Sequence, residues 1–218
     1  DGASVYVGGV ALAGSKSNPA YATPDESGNV ITKGASVDNY NIMWNGSTLT
    51  LKDAYITKGV STPDYSSPVE GAAIGVFSTI GNAELTIQLA GSNTVDASKA
   101  SKGVYVYSSS GTATLNITGS GSLNASGFQS GIQVQSNNGD ATLTIQNADV
   151  TATSASGDGV RVLADADKSA SLTVNGGSLT ASGSTGILYD SSGNGSAPNT
   201  VNLTISNSAL VDARNGGI

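Results

Sequence analysis

A Leu-x-Ile/Val unit returns about every 30 residues along most of this chain, and a repeat of that length restricts it to solenoid, propeller and array architectures. The copies are Leu85-Thr86-Ile87, Leu115-Asn116-Ile117, Leu143-Thr144-Ile145, Leu172-Thr173-Val174 and Leu203-Thr204-Ile205, with a related Leu49-Thr50-Leu51 earlier. The steps between leading leucines at 49, 85, 115, 143, 172 and 203 are 36, 30, 28, 29 and 31 residues. Each copy carries a second apolar alternation: Val95-Asp96-Ala97, Leu123-Asn124-Ala125, Val150-Thr151-Ala152, Leu179-Thr180-Ala181 and Val211-Asp212-Ala213. A third follows a glycine, in Gly103-Val104-Tyr105-Val106, Gly131-Ile132-Gln133-Val134, Gly159-Val160-Arg161-Val162 and Gly186-Ile187-Leu188-Tyr189.

Three short strands of period two, each placing alternate side chains inward, are what one triangular coil requires. Stacked coils pair each strand in parallel with its counterpart one repeat away. A propeller blade needs four antiparallel strands in about 40 residues, and leucine-rich repeats are shorter with a different Leu/Asn pattern. The expected fold is therefore all-β, a right-handed single-stranded parallel β-helix of about six coils. Its core would be ladders of like residues, Leu85, Leu115, Leu143, Leu172 and Leu203 in one column and Ile87, Ile117, Ile145, Val174 and Ile205 in the next. Gly119, Asn147, Gly176 and Asn207 follow the first strands and suit a left-handed corner. The outward column Thr50, Thr86, Asn116, Thr144, Thr173 and Thr204 reads as a strand-favouring ladder.

A solenoid exposes its core at each end unless it is capped or continued. Residues 1–48 are read as an N-terminal β cap and loop of the same domain, and 49–218 as the coils, the last incomplete. Ser4-Val5-Tyr6-Val7 alternates as a strand. Tyr40-Asn41-Ile42-Met43-Trp44 does the same and runs into Asn45-Gly46, a hairpin turn leading to Leu49, with Trp44 expected to cover the first coil. Residues 13–39, with Pro19 and Pro24, are expected to be largely loop, as is the stretch from Gly59 to Gly71 with Pro63 and Pro68. The chain stops at Gly216-Gly217-Ile218, where earlier copies enter their third strand, so a further domain or another chain is expected beyond this end.

Composition narrows the function by exclusion. The formal net charge is -7 and the nine Lys and Arg are scattered, which disfavours nucleic acid as a partner. No Cys and no His are present, removing thiol and imidazole nucleophiles and the usual zinc ligands. No long apolar run occurs, so membrane insertion is not expected and the chain reads as a mature, soluble segment.

Two kinds of polysaccharide chemistry place definite demands on the residues. A lyase needs carboxylates holding Ca²⁺ beside a basic group, yet Arg161 has Gln133 and Leu188 as column neighbours and reads as an isolated surface arginine. An inverting hydrolase needs carboxylates about 6.5–9.5 Å apart. The nearest acidic pair, Asp165 and Asp167, lies in a connecting loop and reads first as a solvated turn, with a Ca²⁺ position as the alternative. Asp140, Asp158 and Asp190 read as turn acids. The outward side of the third strands is richer: Tyr105 and Tyr107, Gln133 and Gln135, Arg161 and Leu163, then Leu188 and Asp190 in successive coils. Flat rings beside planar hydrogen-bonding groups suit a sugar, and a coil spacing of about 4.8 Å could follow an extended chain. Tyr105, Tyr107, Gln133, Gln135 and Arg161 are thus the candidate carbohydrate-binding residues. The plain alternative is that Tyr is simply a good outward strand residue.

The repeat Ala-Thr-Leu-Thr-Ile…Val-Thr-Ala…Gly-Val-x-Val, with Val5-Tyr6-Val7-Gly8-Gly9-Val10 near the start, resembles secreted β-helix proteins of anaerobic gut and cellulolytic bacteria. These include polysaccharide-lyase-like, non-catalytic carbohydrate-binding proteins. The resemblance implies an exported or cell-surface protein that binds a polysaccharide or surface glycan, or acts as an adhesin, and Ca²⁺ held by acidic residues. Three functions follow as expectations: a polysaccharide-binding or adhesive module without catalysis, a lyase or hydrolase acting on an acidic polysaccharide, and a structural stalk.

Overall fold

A computed structural model describes residues 4–57, 71–99, 101–165, 167–191 and 200–218. The loop expected between Gly59 and Gly71, with Pro63 and Pro68, falls almost wholly outside the described residues. All regular structure in the described residues is β. The cap contributes β1 (Ser4–Val7), β2 (Val10–Ala13), β3 (Ala20–Pro24), β4 (Val30–Ile31) and β5 (Ile42–Trp44). The first, partial turn of the solenoid holds β6 (Thr48–Lys52) and β7 (Tyr55–Ile56). Then follow β8 (Ala72–Ser78), β9 (Ala83–Ala90), β10 (Ser92–Ala97), β11 (Lys102–Ser108), β12 (Ala113–Gly119), β13 (Ser122–Gly127) and β14 (Ser130–Ser136). The remainder is β15 (Ala141–Ser154), β16 (Asp158–Ala164), β17 (Ser169–Ser182), β18 (Thr185–Ser191), β19 (Thr200–Ser206) and β20 (Leu210–Arg214).

Strands β6–β20 stack in parallel as a β-helix of about five turns. The third-strand ladder runs β8, β11, β14, β16, β18 with the cap hairpin β1–β2 added antiparallel at its edge. The first- and second-strand ladders merge into one larger sheet, because β15 and β17 keep their pairing across the corner between them. The residues at those corners, Gly119, Asn147, Gly176 and Asn207, all have positive φ, as the turn chemistry predicts.

The core is the expected set of ladders. Leu85, Leu115, Leu143, Leu172 and Leu203 share one column and Ile87, Ile117, Ile145, Val174 and Ile205 the next. The first four of each are fully buried; at the last coil Leu203 and Ile205 are 36% and 48% exposed. Dispersion and area burial accrue only between coils, so each coil depends on its neighbours.

Two register expectations need correction. Leu49 pairs with Ile87 and Leu51 with Leu89, so Thr48, not Thr50, stands beside Thr86. Val95 lies beside Ala125, which places Asn93 beside Leu123. A shift of two residues leaves every side chain on its original face, so an alternating pattern alone cannot detect it. Asn93 consequently points into the core at 1% exposure. Its Oδ1 accepts from Ala54 N at 2.9 Å, and its Nδ2 donates to Ala90 O at 3.1 Å and Ser122 O at 3.2 Å. The side chain thus ties three successive coils together where an aliphatic residue would leave the Ala54 amide bare.

The third strands are entered through Gly103, Gly131, Gly159 and Gly186. A Cβ on Gly131 would stand 2.5 Å from Thr153 N, and one on Gly159 2.5 Å from Ser182 N. Here glycine is required by the approach of two backbones at the corner, not by φ.

The cap closes the strand edges of the first turn. β5 pairs antiparallel with β6 through the Asn45-Gly46 turn, whose Thr48 N donates to Asn45 Oδ1 at 2.8 Å. Trp44 is 1% exposed within the same core. Residues 13–39 are less loop-like than expected, because β3 pairs with β5 and β4 with β3. Pro19 precedes β3 and Pro24 ends it, positions where a missing N–H leaves the ladder intact.

Candidate functional site

The sheet of third strands carries the residues singled out in the sequence. Val104 and Val106 fill the core, so Tyr105 and Tyr107 project to the opposite side of β11, and the register places Gln133 beside Tyr105 and Gln135 beside Tyr107. Arg161 follows Gln133, and Leu163 follows Gln135. Tyr105, Tyr107, Gln133 and Gln135 are therefore brought together, and Arg161 is next in line.

The polar groups of this cluster are engaged with one another. Gln135 Oε1 accepts from Tyr105 Oη at 3.0 Å and from Gln133 Nε2 at 2.8 Å. Gln135 Nε2 donates to Asn137 Oδ1 at 3.0 Å, and Asn137 Nδ2 donates to Tyr107 Oη at 2.8 Å. Ser130 Oγ donates to Gln133 Oε1 at 3.2 Å, and Lys102 Nζ sits 4.7 Å from the Tyr105 ring centroid. Tyr105 and Gln133 are only 8% and 3% exposed, whereas Tyr107, Gln135 and Arg161 are half-buried. Burial, reinforced by Tyr107 and opposed by Arg161, holds the Tyr105 hydroxyl well above its ordinary pKa. The phenol stays neutral and donates.

The aromatic run extends beyond the residues read from the sequence. Gly75 lies between Tyr6 and Tyr105 in the same column, and its missing side chain admits the Phe77 ring, which a Cβ there would meet at 2.5 Å. Ring centroids then follow at 6.4 Å from Tyr6 to Phe77, 5.3 Å to Tyr105 and 5.9 Å to Tyr107. Tyr6 enters from the cap hairpin, whose Gly8-Gly9 turn at positive φ between Val7 and Val10 sets its register. That two-residue Gly-Gly signal was present in the sequence; the place of Tyr6 in the sheet was not.

Arg161 is not isolated. Its Nε lies 3.2 Å from Asp158 Oδ2, although the angle is poor for a hydrogen bond. Asp158, expected as a turn acid, is 9% exposed on β16 and serves as this counter-charge. Asp190 is exposed at the end of the Leu163 column. Asp165 and Asp167 lie just after β16, and among the described residues no group of three or more acidic side chains is placed to hold a metal.

Elsewhere, Asp96 Oδ1 accepts from Ser98 N at 2.9 Å and Ser126 Oγ at 3.0 Å, and these bonds, those from Ser98 foremost, lower its pKa against a smaller opposing effect of burial. Tyr189 points inward near the last turn. Its hydroxyl is buried without a partner among the described residues and is pushed up to about 12 by desolvation.

These features define a parallel β-helix bearing an aromatic and amide stripe along one sheet. Comparisons with protein-family models, curated proteins and solved structures gave no match to this chain.

Proposed function

We propose that this protein is an exported or cell-surface module that binds a polysaccharide without acting on it chemically. The observation carrying the proposal is the aromatic run Tyr6, Phe77, Tyr105 and Tyr107, continued by the amide ladder of Gln133 and Gln135. A pyranose ring offers an apolar C–H face and a rim of hydroxyls, and half-buried rings beside amides match both. Tyr105 and Gln133, being buried, support the stripe from beneath, so the sugar contacts fall to Tyr6, Phe77, Tyr107, Gln135 and Arg161. Arg161 lies beside Asp158, and a guanidinium, which has donors and no acceptor, is ill suited to serve as a base.

The test is retention of the protein on a panel of insoluble and soluble polysaccharides, with reducing-end release measured in parallel. Binding without turnover, weakened roughly tenfold by Tyr107→Ala, is expected. Release of new reducing ends or unsaturated uronates would overturn the absence of catalysis. Failure to bind any member of the panel would overturn the binding reading and leave the structural stalk.

A further inference from the structure

A cleft of about 650 Å³ opens where the cap meets the solenoid, at the Tyr6 and Phe77 end of the aromatic run. Its size falls within the range of small-molecule sites. One wall is the pair of rings. The other comes from the adjoining sheet, where Glu84 and Thr86 share the outward side of β9, with Thr48 of β6 and Asn116 of β12 beside Thr86. The sequence gives Thr86 and Asn116 the appearance of a strand-favouring ladder; the cap hairpin and the Gly46 turn convert that part of the ladder into a wall.

The two walls differ from the Tyr105–Gln135 cluster in one respect that matters for a ligand. In the cluster nearly every polar atom is already bonded to a neighbour. In the cleft Glu84, Thr86 and Asn116 make no side-chain hydrogen bond to a described residue, so their donors and acceptors are available. Among the described residues Glu84 is the one charged side chain lining the cleft, and no cation pairs with it. A carboxylate accepts from two adjacent hydroxyls but repels another carboxylate, and the chain's net charge of -7 adds to that repulsion.

We infer that this cleft binds a neutral pyranose chain, stacking one ring on Phe77 and Tyr6 while Glu84, Thr86 and Asn116 hydrogen-bond its hydroxyls, and that it rejects uronates. The inference rests on the polysaccharide-binding reading and assigns its sugar class and its recognition residues.

Calorimetric titration with cellohexaose, mannohexaose and hexagalacturonate separates the two. Wild type is expected to bind at least one neutral hexasaccharide and not hexagalacturonate. Glu84→Gln and Asn116→Ala should each weaken that binding roughly five- to tenfold, and amide shifts on adding the neutral sugar should centre on residues 84–86 and 116. Both side chains lie outside the core, and matching circular dichroism melts confirm that the variants fold. Unchanged affinity in both variants with a Tyr107→Ala loss would overturn the cleft while preserving the binding reading. Preference for hexagalacturonate would overturn the neutral assignment. Absence of binding to all three would overturn the assignment too, and the wider polysaccharide panel then decides the binding reading separately.

Discussion

Replacing Asn93 tests whether a polar bridge, not apolar stacking alone, holds the first turns in register. Asn93→Ala removes three hydrogen bonds at a site that is 1% exposed. The Ala54 N–H is left without a partner, a loss of about 1–3 kcal/mol. Ala90 O still accepts from Asp53 N at 3.2 Å, so it loses a second bond and not its last. Each of the two carbonyl bonds contributes about 0.5–1.5 kcal/mol, giving a total of roughly 2–6 kcal/mol. For a chain of this size that lowers Tm by roughly 4–24 °C. Asn93→Leu is the sharper test, because a leucine would complete the column headed by Leu123 and recover about 1.5–3 kcal/mol of burial, yet still strand the Ala54 amide. Urea unfolding should rank wild type above Asn93→Leu and Asn93→Leu above Asn93→Ala. Hydrogen exchange at Ala54 should accelerate in both variants. A leucine variant as stable as wild type, with Ala54 still protected, would refute the argument.

The remaining predictions concern the corners, the charges and the last turn. Gly131→Ala forces a Cβ to within 2.5 Å of Thr153 N, so a loss of about 1–3 kcal/mol in urea unfolding is expected, whereas the outward Thr144→Ala should change stability by less than about 1 kcal/mol. Asp96 has a folded pKa below its unfolded value of 3.8, so its stabilisation is present above that pH and vanishes as pH falls through the folded pKa. Asp96→Asn should therefore be less stable than wild type at pH 7, and the gap should close as pH falls through the folded pKa in denaturant titrations; a constant gap would rule this out. Tyr189→Phe removes a buried hydroxyl with no partner among the described residues, and a gain of about 0.5–2 kcal/mol is expected, read as a rise in urea midpoint.

The repeat made the fold legible because a leucine every 28–31 residues over the five copies from Leu85 is a spatial statement: like residues stack. The positive-φ corners were legible for the same kind of reason, since only Gly and Asn sit easily there. The first turn was misread by two residues because Leu49-Thr50-Leu51 satisfies either register, and only the ladder to β9 distinguishes them. Of the site, the sequence placed Tyr105, Tyr107, Gln133 and Gln135 on one side of one sheet. It did not disclose that Tyr105 and Gln133 are buried, which depends on how the long outward side chains lie over one another. Nor did it disclose Tyr6 and Phe77. Tyr6 reaches the stripe through an antiparallel hairpin outside the repeat, and Phe77 by folding over Gly75, and neither route has a period.

The glycine column at the entry to the third strands makes this molecule's length a quantised quantity. Because Gly103, Gly131 and Gly159 each mark the same tight corner, deleting or inserting a single residue inside a strand between two of them throws that strand's alternation out of phase with both neighbours, whereas the connecting turns absorb the small differences in length between copies. Removing or duplicating a whole unit, from one glycine to the next, restores every pairing at the seam. Change in such a chain is cheapest by copying entire coils, and the stripe of rings and amides would lengthen or shorten in the same steps, so under the proposed function the length of sugar chain followed would be counted in repeats.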